Sequence, residues 1–360
     1  PREAMYLDGW SAELEAPEQA LEKWQLLTKL YPDFGPGPHN VSIQLQYQNR
    51  FAEALPYMRM TLSSREGSGA LSYDSMGRAF LGLENYAQAE EMFDKALREG
   101  GVDSTRRRAD VFAAQRRFTQ AEALLAKAPA GDVYPWIDRI SVAADQGNWE
   151  EAFRNLESAK KLVQRDGSDP IRARSFAVTE ATLLLATGRK AEAAKVGTNT
   201  AHQSLQALDR DTPADMPDEL DLALSAALIA LRAGDGSVAT EVSTAVDAHP
   251  HLRGLPYIAE MRAVVHAWQL IDDKRGSAAI ALLKPFADGS ARYQTHEALM
   301  QAFLLAGDAT AAEEQAKWLR QRRGLAYIEL GCGQCRQTLN IVDSNRTSPI
   351  AAERGTGSTQ

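Results

Sequence analysis

The chain has 360 residues, of which 44% are hydrophobic and 24% charged, so it can bury a core and has neither a disordered nor a collagen-like composition. Its formal net charge of −8 argues against a dedicated nucleic-acid surface, because such a surface needs a basic face. No segment reaches the roughly 18 consecutive apolar residues that a membrane-spanning helix requires. Alanine and leucine outnumber valine and isoleucine, and no alternating apolar and polar run stands out. The composition therefore predicts an almost entirely helical protein.

The chain begins with PREAMYLDGW, which has no initiating Met and already has a helical pattern, so we expect that an upstream segment has been removed. A short motif then recurs along the first half of the chain, with an alanine in each copy. These alanines are Ala20, Ala54, Ala89, Ala121 and Ala152, at steps of 34, 35, 32 and 31 residues. Steps of this size are typical of a two-helix repeat.

The copy in residues 76–97 indicates how each repeat is built. Gly77 and Phe80 are three residues apart, and Ala89 and Phe93 are four apart, so each pair lies on one face of a helix. The sequence GLENY between the two pairs is typical of a turn. We therefore predict two helices folded back on each other, with small residues where the backbones come close. Such a hairpin buries its apolar face only by stacking on its neighbours.

The repeats become longer in the second half of the chain. Further copies are centred on Ala193, Ala239, Ala279 and Ala312, at steps of 41, 46, 40 and 33 residues. Polar, proline-containing stretches at 166–170 and 209–218 predict loops inside these longer repeats. We therefore divide the chain into a regular array at 1–163, degenerate longer repeats at 164–330, a C-terminal cap at 331–343 and a disordered tail at 344–360.

Residues 4–330 resemble the tetratricopeptide repeat (TPR) family, whose unit is a helix hairpin with small and aromatic residues at set positions on both helices. The residues that carry the resemblance are Met76, Gly77, Phe80, Ala89, Phe93 and Ala96 in one unit and Ala20, Trp24 and Pro32 in another. The resemblance is strong in the first five units and weaker in the last four. It implies an all-α superhelix, or solenoid, of about nine helix hairpins. The first helices of such an array line a concave groove that accepts a peptide or a partner domain.

The register of the early repeats assigns eleven residues to this peptide-binding groove. They are His39, Ile43, Gln46, Tyr47, Leu71, Asp74, Arg78, Arg106, Asp110, Ser141 and Asp145. The set is polar and carries both signs of charge, which suits a peptide or protein better than a lipid. Some TPR proteins hold a peptide's C-terminal carboxylate with Lys and Asn side chains. The matching positions here are Met5, Gly9, His39 and Ile43, which argues against the binding of chaperone tails.

The only two cysteines, Cys332 and Cys335, form a C-x-x-C motif near the end of the repeats. Such a pair can shape a local capping turn, with or without a disulfide, act in redox chemistry, or supply half of a zinc site. A zinc site needs two further ligands, and no second C-x-x-C or H-x-x-x-H motif is present. Arg336 rather than His follows the second cysteine, which argues against haem attachment. The three interpretations stay open, with the capping turn favoured.

No nucleotide-binding, serine-hydrolase or zinc-protease motif is found, and in an all-helical array this predicts no enzymatic activity and no cofactor. Residues 27–40 and 329–339 are also similar, less specifically, to C-terminal repeat regions of bacterial signalling proteins that begin with a cyclase, kinase or winged-helix domain. We expect a module that binds a protein or peptide partner, without nucleic acid and without inserting into a membrane. A small-ligand sensor and a redox or metal accessory are the alternatives. The compartment stays open between the cytoplasm, which is favoured, and the extracytoplasmic part of a membrane-anchored regulator.

Overall fold

A computed structural model describes residues 1–64, 69–100, 104–129, 131–167, 169–208, 210 and 214–345. These residues form helices and their connections, with no β-strand among them. None of the helices in the described ranges is both long and apolar enough to cross a membrane. The prediction of an all-α fold is confirmed.

The helices pair into hairpins along the chain. The first five hairpins are α1 (Arg2–Glu15) with α2 (Pro17–Leu30), α3 (Pro36–Tyr47) with α4 (Phe51–Ser63), α5 (Gly69–Gly82) with α6 (Tyr86–Arg98), α7 (Thr105–Ala114) with α8 (Phe118–Leu125), and α9 (Tyr134–Asp145) with α10 (Trp149–Asp166). The next four are α11 (Pro170–Ala186) with α12 (Lys190–Ala207), α13 (Met216–Arg232) with α14 (Ala239–Ala248), α16 (Pro256–Asp272) with α17 (Gly276–Leu283), and α18 (Tyr293–Leu305) with α19 (Ala309–Gln321). The short α15 (Pro250–Arg253) joins α14 to α16, and a 3-10 turn (Lys284–Phe286) follows α17. The described part of the chain thus contains nine hairpins.

The hairpin of α5 and α6 shows why the repeats need small residues. A Cβ atom at Gly77 would lie only 2.6 Å from the ring of Phe93, so a larger residue there would push the two helices apart. Ala89 on α6 is fully buried. Asn85 begins α6 by accepting a hydrogen bond from the backbone N–H of Gln88, which satisfies a donor of the first turn. The local pattern of small, aromatic and capping residues therefore determines how the two helices cross.

The superhelix closes on itself, because the connection between α3 and α4 meets the beginnings of α16 and α18. The Arg292 side chain donates a 2.9 Å hydrogen bond to the backbone carbonyl of Tyr47. Asn49 donates a 3.0 Å hydrogen bond to Glu329, and the ring centroids of Tyr47 and Tyr257 are 5.5 Å apart. The early and late hairpins therefore enclose a common interior.

The chain turns back into this interior after α19. We call residues 323–345 the inner segment. It consists of α20 (Arg323–Ile328), a 3-10 turn (Cys332–Gln334) and α21 (Gln337–Ser344). It packs against α5, α7, α9, α11 and α13. Gly324 passes so close to α5 that a Cβ atom at this position would collide with the carbonyl oxygen of Leu81.

This path differs from the cap that the sequence suggested at 331–343. Those residues lie in the middle of the inner segment and contact helices from the centre of the array, because their charged and polar side chains find partners there. Ser344, which the sequence placed at the start of a disordered tail, is the last residue of α21 and is buried. The rest of the tail, from 346 onward, lies outside the described residues.

The longer repeats also pack continuously with the regular ones. The expected division between residues 163 and 164 lies inside α10. One hydrophobic cluster, which includes Leu156 and Phe176, extends across it because α10 packs directly on α11. Of the two predicted loops, positions 168, 209 and 211–213 lie outside the described residues.

Candidate functional site on the inner face

We call the surface of the hairpins' first helices that faces the interior the inner face. At the end of α9, Asp145 accepts a hydrogen bond of 2.5 Å from Arg323 of the inner segment. The hydroxyl of Tyr327 donates a second one, of 2.7 Å, to the same carboxylate. Arg323 also donates to the backbone carbonyl of Ala114 at 2.9 Å. Because these side chains are buried, water screens their attraction weakly, and they anchor the first part of the inner segment.

A second group of contacts lies at the beginnings of α7 and α9. Arg106 forms a 2.7 Å ion pair with Asp138 and donates a 3.1 Å hydrogen bond to Gln334 of the inner segment. The amide of Gln337 donates to Asp138 at 3.0 Å. Asp138 thus joins one arginine of the inner face to the inner segment.

Two buried ion pairs attach the inner segment to α13. Arg336 of the inner segment lies 2.6 Å from Asp221, and Arg232 lies 2.8 Å from Asp343 of the inner segment. In the first pair the inner segment supplies the cation, and in the second it supplies the anion. Removing either partner would leave an uncompensated charge in the interior, so each pair fixes the position of the inner segment.

The structure joins Cys332 and Cys335 in a disulfide, and both residues are buried. The carbonyl oxygen of Gly333 accepts hydrogen bonds from Arg172 at 2.6 Å and from Ser175 at 3.3 Å. Within the described ranges, no group of three or more His, Cys, Asp or Glu side chains is placed to hold a metal ion. The bridged turn is therefore bound to α11 inside the superhelix.

Three residues that the sequence assigned to the groove contact the chain's own inner segment. Arg106 bonds Gln334, Asp145 bonds Arg323, and Ser141 shares a 3.0 Å hydrogen bond with the hydroxyl of Thr338. The last of these contacts is fully buried. These positions lie on the inner face, but the protein itself occupies them.

Two further assigned residues are part of the packing. Asp110 is buried and accepts a 3.2 Å hydrogen bond from Arg107. Burial, and after it repulsion from Asp138, raises the pKa of Asp110 well above its ordinary value. Gln46 is buried too, and its amide donates to the backbone carbonyl of Ser42 at 3.3 Å. Neither side chain offers a free surface to a partner.

The other six assigned residues lie on α3 and α5. They are His39, Ile43, Tyr47, Leu71, Asp74 and Arg78. Leu71 is 51% exposed, and the other five are half-buried. Burial lowers the pKa of His39, which favours its neutral form at neutral pH. The hydroxyl of Ser104 donates a 2.7 Å hydrogen bond to Asp74. We call these six side chains the open part of the inner face, because no hydrogen bond to the inner segment covers them in the described structure.

Arg78 carries a charge without a partner in the open part. The buried Nε atom of its guanidinium has no hydrogen-bond partner among the described residues, and Asp74 attracts the guanidinium without forming an ion pair with it. Burial, followed by repulsion from Arg107, lowers the pKa of Arg78 to about 10. A guanidinium presents five donors, so a carboxylate or carbonyl group of a ligand could bind it.

Two residues near Tyr47, Asp218 and Tyr257, were not expected from the sequence. Burial, and after it the charge of Asp218, raises the pKa of Tyr47. The ring of Tyr257 packs against that of Tyr47, tilted by 31°, from the other side of the closure. Both residues belong to the longer repeats, where the irregular spacing of the copies prevents the assignment of inward-facing positions from the sequence. A usable signal was nevertheless present, since each follows a proline, Pro217 or Pro256, in the first turn of a first helix.

The stacked hairpins around a lined interior define the class of this protein as an all-α, TPR-like superhelix. No family model matches the sequence, and no curated protein is significantly similar to it. Among solved structures, it is similar to the TPR domain of P58(IPK), with 13% identity, a TM-score of 0.29 and 99% of each chain covered. It is also similar to yeast Tom70, with 12% identity, a TM-score of 0.32 and coverage of 97% of this chain and 90% of the other. A third similar structure is Naa15/Naa10 bound to HypK-THB, with 12% identity, a TM-score of 0.29 and coverage of 97% and 68%.

Proposed function

We propose that this protein is an interaction module that binds a peptide or a partner domain on the open part of the inner face. The observation that carries the proposal is the inner segment, which the inner face holds through buried ion pairs and hydrogen bonds to side chains of α7, α9, α11 and α13. A surface that holds one stretch of polypeptide in this way has the chemistry to hold another. The open part adds the unpartnered Arg78 and the exposed Leu71 to that surface.

A partner's backbone carbonyls or carboxylates would bind Arg78, and its apolar side chains would pack on Leu71. Affinity would come from a few such contacts in partly desolvated positions. In this proposal the array is non-enzymatic and forms the regulatory part of a larger bacterial signalling protein, as the similarity of residues 27–40 and 329–339 implies.

A small-ligand sensor is the second candidate. It is favoured by a cleft of about 670 Å³ at the closure of the superhelix, between the connection of α3 to α4 and the beginnings of α16 and α18. Tyr47, Glu260 and Arg292 line this cleft, so it offers both apolar and polar groups to a ligand.

The test is a selection of random linear peptides on the full chain, followed by affinity measurements with Arg78→Gln. We expect the selected peptides to bind this variant roughly tenfold more weakly, because a charge-assisted hydrogen bond is lost. Arg59→Gln is the matched control, since Arg59 is exposed on α4 and has no partner among the described residues. Arg106 is a poor test position, because it pairs with Asp138 of α9 and donates a hydrogen bond to Gln334 of the inner segment.

Circular dichroism and thermal melting establish that both variants are folded before binding is compared. Peptides that bind the Arg78 variant, the control and the parent protein equally well would place the binding surface elsewhere. Failure to select any binding peptide would contradict the proposed function itself.

A further inference from the structure

A cavity of about 230 Å³ lies between the first two hairpins and the beginnings of α13 and α16. The rings of Trp10, Tyr47 and Tyr257 form part of its wall, and Glu13 and Asp218 supply carboxylates. Aromatic faces together with carboxylates form an environment that stabilises a cation.

Several polar groups of this cavity have no partner. In the part of the chain that the structure describes, no residue donates a hydrogen bond to the carboxylate of Asp218. The hydroxyl groups of Tyr47 and Tyr257 neither donate nor accept a hydrogen bond there. Tyr257 is only 8% exposed, and its side chain lines the cavity. Buried polar side chains normally have hydrogen-bond partners, so the unpartnered Tyr257 points to a ligand, and the half-buried Tyr47 and Asp218 offer it further polar contacts at the same cavity.

Arg172 attracts the carboxylate of Asp218, but no arginine among the described residues forms an ion pair with it. Arg172 is directed towards the disulfide turn, where it donates to the carbonyl of Gly333 at 2.6 Å. Arg292 donates to the backbone carbonyls of Tyr47 and Leu330. The carboxylate of Asp218 therefore has no direct partner and can bind a cation from outside the chain.

We propose that this cavity binds the lysine or arginine side chain of a partner peptide, an inference that rests on the proposed function and names part of its ligand. The cationic group forms an ion pair with Asp218 and lies beside the ring of Tyr47, because the guanidinium of Arg292 already lies 5.3 Å from the centroid of the Tyr257 ring. The aliphatic part of the side chain packs on Trp10, which is 43% exposed at the cavity. Leu7 and Leu14 lie on the same face of α1 as Trp10 and are also exposed, so they offer apolar surface to the neighbouring residues of the peptide.

The first experiment uses a small probe, Nα-acetyl-lysine amide, with Nα-acetyl-norleucine amide as its uncharged analogue. Both are titrated into the full chain, and binding is measured by ligand-observed NMR. We expect the lysine derivative to bind roughly fivefold more tightly than the norleucine derivative, and this preference to vanish in Asp218→Asn. Asp33→Asn is the control, because Asp33 is exposed between α2 and α3.

Asp218→Asn is a safe variant for this test. Burial, and after it repulsion from Asp221, raises the pKa of Asp218 to about 6, so its charge is unfavourable in the folded protein. We expect the melting temperature at neutral pH to stay the same or to rise. Equal binding of the two derivatives, no binding of the lysine derivative, or a preference that survives Asp218→Asn would each overturn the proposal.

The second experiment separates this inference from the proposed function. In peptides selected on the full chain, replacing the single most sensitive lysine or arginine by norleucine should weaken binding to the parent protein but not to Asp218→Asn. Peptides that depend on Arg78 but not on Asp218 would overturn the cation site and leave the interaction function standing. If the lysine derivative binds through Asp218 but no peptide is selected, the cation site stands and the proposed interaction function is overturned.

Discussion

Replacement of Arg323 by alanine tests whether the inner segment is held by its buried charges. In the structure Arg323 is 7% exposed, pairs with Asp145 at 2.5 Å and donates to the backbone carbonyls of Ala113 and Ala114. Removing one partner of a buried pair typically costs about 3 to 5 kcal/mol. Asp145 would keep the hydrogen bond from Tyr327, so we expect a loss of about 3 kcal/mol, at the lower end of that range.

The assay is urea unfolding combined with amide hydrogen exchange over residues 323–345. A loss of about 3 kcal/mol corresponds to faster exchange in the inner segment by a factor of roughly 100, if the segment opens with the array still folded. Arg322→Ala is the matched control, because the neighbouring Arg322 is half-buried and its ring contact with Trp318 spans 5.8 Å. We expect this control to lose about 1 kcal/mol or less. Equal effects of the two substitutions would refute the view that the Asp145 pair anchors the inner segment.

Three further predictions concern packing, the disulfide and pH. Ala89→Leu should lower the free energy of unfolding by about 1 to 3 kcal/mol, because Ala89 is fully buried between α5 and α6. The control Ala87→Leu, at an exposed position of the same helix, should change it little, and equal thermal melts of the two variants would contradict the close packing at Ala89. Replacing both Cys332 and Cys335 by alanine should lower the free energy of unfolding by only about 2 kcal/mol, because the disulfide closes a very short loop and so restricts the unfolded chain little. Helicity measured by circular dichroism should stay the same, and a loss of cooperative unfolding would contradict this prediction. Because the pKa of Asp218 is raised to about 6, its contribution to stability is present below about pH 4 and is lost as the pH rises through 6. Over that interval the parent protein should lose up to about 3 kcal/mol of unfolding free energy relative to Asp218→Asn. Parallel stability curves of the two proteins, measured by urea unfolding, would show that Asp218 titrates normally.

The sequence by itself determined the class of fold and the construction of each hairpin. Gly77, Phe93 and Ala89 are close together in the chain, and helical periodicity is enough to place them on facing surfaces. The same periodicity located most of the hairpins, including those of the longer repeats, because each repeat must bury one face against its neighbours. The predicted all-α, TPR-like superhelix is confirmed for these local reasons.

Only the tertiary structure decided what lies inside the superhelix. Arg323 and Asp145 are 178 residues apart, and Arg336 and Asp221 are 115 apart, so no local period connects them. The C-x-x-C pair looked like an end cap, because its position in the chain says nothing about which helices it contacts. Closure of the array is what brings Asp218 and Tyr257 to Tyr47, since each repeat adds a small rotation and only their sum returns the late hairpins to the early ones.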